Sequence, residues 1–238
     1  MTIDTAVVLA GGSGNRLKPL TNDIPKGMIE VYGKPLLQWI IEWLRDNSVR
    51  KIILGVAYQK EKIQEYFGDG KEFGVDIKYS VHTVEGGTSE GFRLAISRYI
   101  DSDVFFAMNG DQITGLNLGD LASFHMKNNP VATMVVAHPT CPYGQVHIND
   151  KNDVIGFVEK PPCSYTLCNI GIYAFNREIL QYLPERGDVE KEAFPVLARL
   201  HRLKVYPFHG FFITVNTFKD FIKAEEELKN AKKTNVLR

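Results

Sequence analysis

The sequence Ala6-Val7-Val8-Leu9-Ala10-Gly11-Gly12-Ser13-Gly14-Asn15-Arg16-Leu17 joins a short apolar run to a loop with three glycines in four residues, and Pro25-Lys26 follows it. The apolar run predicts a buried strand. Glycine allows positive φ and a close approach of the backbone, so successive N–H groups in such a loop can converge on an anion. Arg16 adds a planar fork of donors and Lys26 a compact charge. The segment therefore predicts a phosphate-binding site.

Two other glycine motifs fit this loop poorly. No Gly-Lys-Ser/Thr follows at the spacing of a P-loop. Gly12-x-Gly14 begins a dinucleotide fingerprint, but Leu17 stands where a third glycine would allow close packing of helix on strand. A nicotinamide-dependent oxidoreductase is therefore disfavoured. The glycine loop by itself is also consistent with an ordinary structural turn that binds nothing.

The loop and the residues after it resemble the signature of the sugar-1-phosphate nucleotidylyltransferases, the sugar-nucleotide pyrophosphorylases. The matching stretches are Leu9 to Thr21, Pro25-Lys26 and Gly33-Lys34-Pro35-Leu36, with Asn15 where the family usually has threonine. The resemblance continues along nearly the whole chain. It implies a GT-A-like nucleotidyltransferase fold, a nucleoside triphosphate and a sugar-1-phosphate as substrates, and Mg²⁺ as cofactor.

Composition agrees with an enzyme of this kind. Among the 238 residues, 28 Lys and Arg balance 28 Asp and Glu, so no basic field for nucleic acid is expected. No apolar segment reaches membrane-spanning length, and the first residues lack the pattern of a signal peptide, so we expect a cytoplasmic protein without membrane contact. Cys141, Cys163 and Cys168 are expected to be free thiols. The sequence does not determine the oligomeric state, and a homo-oligomer is consistent with it.

Apolar runs and amphipathic periods alternate through the first half of the chain. This order predicts right-handed βαβ crossovers and an α/β, Rossmann-like, doubly wound, mostly parallel (mixed) sheet with helices on both faces. We expect one domain, 1–238, whose nucleotide-binding half (1–128) and sugar-phosphate-binding half (129–238) share the sheet. After the opening strand, the predicted strands are 51–57, 77–81, 104–108, 131–137, 145–148, 154–158, 170–175, 204–208 and 211–215. The predicted helices are 35–47, 59–67, 89–99, 177–182, 190–200 and 218–229.

The resemblance assigns the nucleotide to two loops. The first would cradle the triphosphate and comprises Leu9, Ala10, Gly11, Gly12, Ser13, Gly14 and Asn15. The second, Glu85 to Gly91, would bring Gly87 and Thr88 to the base and ribose, although a simple strand–helix turn is equally consistent with it. His82 stands where relatives often have Gln or Glu facing the base, and a structural histidine is the alternative.

A metal site is predicted where the strand 104–108 runs into Asn109-Gly110-Asp111. A carboxylate just past a buried strand can hold Mg²⁺ against phosphate oxygens, and a solvated turn is the alternative. In the family the matching aspartate is a metal ligand, while Asn109 and Gly110 would contact nucleotide. The family usually has a second metal-binding aspartate, and this chain has Thr214 at that position. We therefore predict that Asn216, two residues later, completes the site with Asp111; a single-ligand site or a catalytically weakened protein is the alternative.

The resemblance places the sugar phosphate against three motifs of the second half. Gly144 follows Tyr143 in a Tyr-Gly strand, and Glu159-Lys160-Pro161 would bind sugar hydroxyls through the carboxylate and the phosphate through the lysine. Asn169 would contact a hydroxyl, and Gly171 would allow close approach.

These residues predict an in-line transfer that needs positioning and charge neutralisation rather than covalent chemistry. The sugar phosphate would attack the α-phosphorus, with Lys26 on that phosphate and Arg16 on the leaving pyrophosphate. Ile29-Glu30-Val31 after Pro25-Lys26 favours a hexose-1-phosphate guanylyltransferase, whereas Asn216 favours uridylyl or cytidylyl transfer. Thymidylyl transfer, and another sugar phosphate or an alcohol phosphate as acceptor, are the further alternatives. Thr214 keeps a non-catalytic, sugar-nucleotide-binding regulatory protein as the alternative class.

Overall fold

Strands from both halves of the chain form one central sheet in the computed structural model, which describes residues 3–141, 143–161, 163 and 165–233. The strands are β1 (Thr5–Leu9), β2 (Glu30–Val31), β3 (Lys34–Pro35), β4 (Lys51–Val56), β5 (Asp76–Val81), β6 (Val104–Asn109), β7 (Gln112–Thr114), β8 (Ala132–Ala137), β9 (Gln145–Ile148), β10 (Val154–Val158), β11 (Cys168–Asn176), β12 (Leu203–Pro207) and β13 (Phe212–Thr214). The α-helices are α1 (Leu36–Asp46), α2 (Lys60–Phe67), α3 (Gly87–Tyr99), α4 (Leu118–Asn128), α5 (Ala193–Arg199) and α6 (Phe218–Lys233).

The central sheet has seven strands in the order β12-β8-β11-β6-β1-β4-β5. Strand β1 pairs in parallel with β4 and β6, and β4 pairs in parallel with β5. Strand β11 runs antiparallel to both β6 and β8, while β12 is parallel to β8. The prediction of a mostly parallel, mixed α/β sheet is confirmed. Three small sheets, β9–β10, β7–β13 and β2–β3, lie beside it.

Helices cover both faces of the sheet. Neighbouring residues of β1 point to opposite faces, and both sets are apolar, so each face packs against its own helices. Val8 belongs to a buried cluster with Leu37 and Ile41 of α1. Val7 belongs to a second cluster with Phe92 and Ile96 of α3. The doubly wound arrangement follows from this alternation.

The order of the strands reverses at β1. The chain runs from β1 to β4 and β5 on one side, then crosses through α3 to β6 on the other side of β1. In an open α/β sheet such a reversal leaves a crevice at the carboxyl ends of the two strands. The glycine loop after β1 and Asp111 after β6 both lie at this crevice.

Most predicted elements are present, with ends shifted by a few residues. The predicted helix at 177–182 is a 3₁₀ helix, Arg177–Gln181, and the one at 190–200 is shortened to α5, whose first turn holds Pro195. Helix α4 and the short strands β2, β3 and β7 were not predicted. The single-domain organisation stays a prediction. Within the described chain, no helix combines the length and apolar character that crossing a membrane requires.

Candidate active site

The glycine loop after β1 is closely packed on its inner side. Gly14 has φ +67°, and a Cβ there would lie 2.7 Å from the Thr21 methyl carbon. The Thr21 hydroxyl donates to the Gly14 carbonyl at 2.8 Å, which fixes the turn. A Cβ at Gly11 would lie 2.6 Å from the ring of His82. His82 therefore packs against the loop.

Two oxygen acceptors and one lysine meet at the end of β6. Lys26 Nζ donates to Asp111 Oδ2 at 2.7 Å and to Asn216 Oδ1 at 2.7 Å. Asn216 reaches this point because Val215 N donates to the Asp111 carbonyl at 3.0 Å, beside the pairing of β7 with β13. Arg16 Nη2 lies 3.5 Å from Asn216 Oδ1. The side chains of Lys26 and Asp111 are only 15% and 20% exposed, so water screens their charges weakly.

A cavity of about 440 Å³ opens above these groups. It is called the first cavity below. All twelve residues that were predicted to bind nucleotide line it, together with the predicted catalytic and metal-binding residues. This lining comprises Leu9, Ala10, Gly11, Gly12, Ser13, Gly14, Asn15, Arg16, Lys26, His82, Gly87, Thr88, Asn109, Gly110, Asp111 and Asn216. Gly27, Val84 and Asp188 also line it and were missed by the sequence analysis.

A second cavity, of about 630 Å³, adjoins the first and shares Asn109, Asp111 and Asn216 with it. It is called the second cavity below. Two of the residues predicted to bind sugar phosphate, Asn169 and Gly171, line it. The two cavities thus meet at the carboxyl end of β6.

The lining of the second cavity includes polar residues that the sequence analysis missed. Gln112 is 7% exposed, and its Oε1 has no hydrogen-bond partner within the described chain. A Cβ at Gly171, which has φ +75°, would lie only 2.2 Å from Gln112 Nε2, so the glycine leaves room for this side chain. Glu190 and Lys223 add charges of opposite sign to the same lining. Such a lining offers donors and acceptors for several hydroxyls and a cation for a phosphate.

Gly144, Glu159 and Lys160 are not among the described residues that line either cavity. They lie on the hairpin of β9 and β10, where Lys160 Nζ pairs with Glu159 Oε1 at 3.0 Å. A Cβ at Gly144 would meet the ring of Phe157 at 2.4 Å. Glu159 is therefore close to both Gly144 and Lys160, a Cβ at Gly144 lying 3.0 Å from Glu159 Oε2.

Thr214 lies at the end of β13, opposite Gln112 of β7. It lines the second cavity, whereas the side chain that reaches the Lys26 ammonium from this segment is Asn216. The position two residues later therefore supplies the oxygen next to Asp111.

Asp188 and Glu190 were missed although a signal was present. They flank the buried Val189 in the sequence Asp188-Val189-Glu190 just before α5, so both carboxylates lie beside one anchoring residue. Asp188 lines the first cavity and Glu190 the second.

Comparison with known proteins identifies relatives of this chain. The nucleotidyl transferase family matches residues 5–231. Mannose-1-phosphate guanylyltransferase catalytic subunit beta of Dictyostelium discoideum is 34% identical over 223 residues, which cover 91% of this chain and 62% of that protein. UTP–glucose-1-phosphate uridylyltransferase of Synechocystis is 32% identical over 214 residues, covering 81% and 54%.

A solved structure has the same fold. The crystal structure of HddC from Yersinia pseudotuberculosis complexed with GMP-PN superposes with a TM-score of 0.74 at 25% identity, covering 95% of this chain and all of that one. The chain spans a little over three fifths of the length of the mannose-1-phosphate guanylyltransferases it matches, 62% and 64% for those of Dictyostelium discoideum and Mycobacterium tuberculosis.

Proposed function

This chain belongs to the nucleotidyl transferase family, and we propose that it transfers a nucleotidyl group from a nucleoside triphosphate to a sugar-1-phosphate, releasing pyrophosphate. The observation that carries the proposal is the meeting of two cavities at Asn109, Asp111 and Asn216. A triphosphate in the first cavity and a sugar phosphate in the second would bring their phosphates together there. Holding the two reactants in contact lowers the entropic part of the activation barrier and so supplies a large part of the rate acceleration.

The first cavity offers the charges that a triphosphate needs. The backbone N–H groups of the glycine loop suit phosphate oxygens, and Arg16 would stabilise the leaving pyrophosphate. Lys26 would neutralise the α-phosphate as the sugar phosphate attacks it in line. The bond from the α-phosphorus to the β-phosphate oxygen breaks as the new phosphorus–oxygen bond forms. A phosphate nucleophile is already ionised at neutral pH, so the proposal requires no general base.

Asp111 and Asn216 fit Mg²⁺, which we propose as the cofactor. Carboxylate and amide oxygens are hard ligands of the kind Mg²⁺ prefers. In this structure the two oxygens hold a cation already, the Lys26 ammonium, at 2.7 Å each. When bound, Mg²⁺ supplies charge neutralisation for the phosphate oxygens.

The second cavity is proposed as the sugar-phosphate site. Asn169 keeps unused hydrogen-bonding capacity there, and the unpartnered carbonyl oxygen of Gln112 is an acceptor for a hydroxyl. Glu159 and Lys160, on the exposed hairpin, would join this site only after a movement of β9 and β10.

Guanylyl transfer to a hexose-1-phosphate is the specificity we propose. Its support is the resemblance to mannose-1-phosphate guanylyltransferases and to HddC, whose crystal structure is complexed with GMP-PN. The uridylyltransferase relative makes UTP the principal competitor. A non-catalytic regulatory protein, suggested by Thr214, is less well supported because Asn216 supplies an oxygen beside Asp111.

The test is pyrophosphate release in Mg²⁺, measured for GTP, UTP, dTTP and CTP against a panel of hexose-1-phosphates. We expect GTP with mannose-1-phosphate to give the highest turnover. Asp111→Ala should lower that turnover by about a hundredfold or more, the scale on which electrostatic stabilisation of a transition state is lost.

Asp101→Ala is the matched control, because Asp101 is exposed and is not among the described residues lining either cavity. This variant should keep the wild-type rate. Binding of nucleotide and sugar phosphate without pyrophosphate release from any pair would favour the regulatory alternative. Full turnover in Asp111→Ala would refute the assignment of the site.

A further inference from the structure

A short segment of the chain contributes one side chain to each cavity. Gly187 N donates to the Gly86 carbonyl at 3.0 Å, and the Gly187 carbonyl accepts from Ser89 N at 2.9 Å. Residues 187–190 therefore lie against the start of α3. Within them, Asp188 lines the first cavity and Glu190 lines the second.

The hydroxyl of Thr88 links the two cavities. Thr88 lines the first cavity, and its Oγ1 donates to Glu190 Oε2 at 2.9 Å. The same oxygen accepts from Val189 N at 2.9 Å. A hydroxyl has one proton to donate, so none remains for a nucleotide.

A second hydroxyl lies near the same carboxylate. Tyr173 is fully buried, and the charge of Glu190 acts on its hydroxyl. Burial first, and then the charge of Glu190, raise the pKa of Tyr173, so this hydroxyl keeps its proton and can donate it.

The connection continues to a predicted sugar contact. Asn169 Nδ2 donates to the Tyr173 hydroxyl oxygen at 2.8 Å, and Asn169 Oδ1 accepts from Gly171 N at 2.8 Å. The amide therefore has a fixed orientation, with one N–H and one oxygen lone pair left for a ligand. Hydrogen bonds thus run from Thr88 in the first cavity to Glu190 in the second, and Tyr173 lies near Glu190 while it accepts from Asn169.

We propose that Thr88 is a positioning residue that couples nucleotide binding to sugar-phosphate binding. It holds Glu190 in place, and Glu190 with Asn169 receives hydroxyl groups of the sugar. A nucleotide that packs on the loop of Gly87 would order this connection, so the second ligand would then bind at a smaller cost in entropy. The inference rests on the proposed function, because it assigns the sugar to the second cavity.

The test is a pair of calorimetric titrations in Mg²⁺. Mannose-1-phosphate is titrated into the protein alone and into the protein saturated with α,β-methylene-GTP, which cannot react at the α-phosphorus. For the wild type we expect the nucleotide to tighten sugar-phosphate binding by about tenfold, within the usual range of coupling between sites.

Thr88→Val keeps the shape of the side chain but removes the hydroxyl, so the ratio of the two dissociation constants should fall close to one. Thr88→Ser keeps the hydroxyl and should keep the ratio. Tyr173→Phe, which preserves the ring, should also lower the ratio, and it serves if Thr88→Val does not fold.

Three other outcomes would contradict the proposal, each at a different step. A wild-type ratio in Thr88→Val, or a lost ratio in Thr88→Ser, would overturn the role of the hydroxyl. Independent binding of both ligands to the wild type would overturn the coupling while leaving the proposed function intact. Failure of the wild type to bind either ligand would remove the proposed function and the inference with it.

Discussion

The Lys26 ammonium lies between the two oxygens that are proposed to hold Mg²⁺. Its ammonium donates to both Asp111 and Asn216, so the two oxygens are satisfied while no phosphate is present. Two of the three ammonium protons are used in this way, so one remains for an α-phosphate. The proposed divalent cation would compete with Lys26 for the same pair of oxygens.

Removal of the lysine charge should strengthen binding of a divalent cation. Lys26→Gln eliminates the competing ammonium, and unit charges about 4 Å apart near a protein surface repel by about 4 kcal/mol. Part of this is screened, so we expect at least about tenfold tighter binding of Mn²⁺, measured by the electron paramagnetic resonance of the free ion. Turnover should fall in the same variant.

Lys78→Gln is the control, since Lys78 is 60% exposed and pairs with Asp76 away from the described lining of the cavities. It should leave the Mn²⁺ affinity unchanged. An unchanged affinity in Lys26→Gln would contradict the competition between Lys26 and the cation.

The sequence was sufficient to bring Lys26 and Asp111 to the first cavity because each stands in a short local motif, Pro25-Lys26 and the Asn109-Gly110-Asp111 turn after β6. It was insufficient for Gln112 and Glu190, because the orientation of these side chains depends on distant pairings. Gln112 faces the second cavity through the pairing of β7 with β13, and Glu190 through its contact with Thr88, 102 positions earlier. Neither pairing can be inferred from the residues next to the side chain it orients, although Asp188-Val189-Glu190 does mark two carboxylates beside a buried residue.

The hairpin of β9 and β10 carries predicted sugar-phosphate residues that are not among the described residues lining either cavity. Its alternation predicted strands, and the strands are present, but both faces are exposed: Val154, Ile155 and Phe157 are each more than 60% exposed. A two-stranded ribbon without a covered face is marginally stable alone. It also carries Glu159, which is not among the described residues that line the second cavity.

Sugar phosphate should therefore protect the hairpin from proteolysis. Lys151 lies in the exposed turn between β9 and β10, and trypsin should cut there in the free protein. Mannose-1-phosphate with α,β-methylene-GTP should slow this cut, followed by mass spectrometry, because a hairpin closed on the ligand opens less often.

Lys160→Gln removes the charge that would hold the sugar phosphate, so the protection should be lost in this variant. The matched control is Lys127→Gln, an exposed lysine of α4 that should leave the protection unchanged. Equal cleavage of the wild type with and without ligands would mean that Glu159 and Lys160 stay outside the site.

Helix α4 was missed for a physical reason that the structure makes visible. Its buried residues, Leu118, Leu121, Ala122 and His125, have helical spacing, but Gly119 and Asp120 weaken the first turn. The helix starts because Asn117 Oδ1 accepts from the N–H groups of both residues. His125 then joins the helix to the sheet through the Thr133 hydroxyl at 2.8 Å.

The central sheet explains why the two cavities adjoin. Alternating strands and helices predicted parallel pairing in the first half, which is confirmed, but the neighbours of β11 could not be predicted from its sequence. Strand β11 lies between β6 of the first half and β8 of the second, and it brings Asn169 and Gly171 beside Asn109. A pairing between strands about 65 positions apart depends on the whole sheet rather than on a local pattern.

Such a shared sheet should unfold in one step. Separation of the halves would break the pairing of β11 with β6 and expose Tyr173 and Phe175, which are fully buried. We expect urea unfolding followed by tryptophan fluorescence, which reports on Trp39 and Trp43 of α1, to coincide with loss of hydrogen-exchange protection in β11. Saturating α,β-methylene-GTP, at about a hundred times its dissociation constant, should raise both midpoints together by adding about 2.7 kcal/mol of stability. Two separate transitions, or stabilisation of α1 alone, would instead mean that the halves fold as independent units and that the cavities adjoin only by docking.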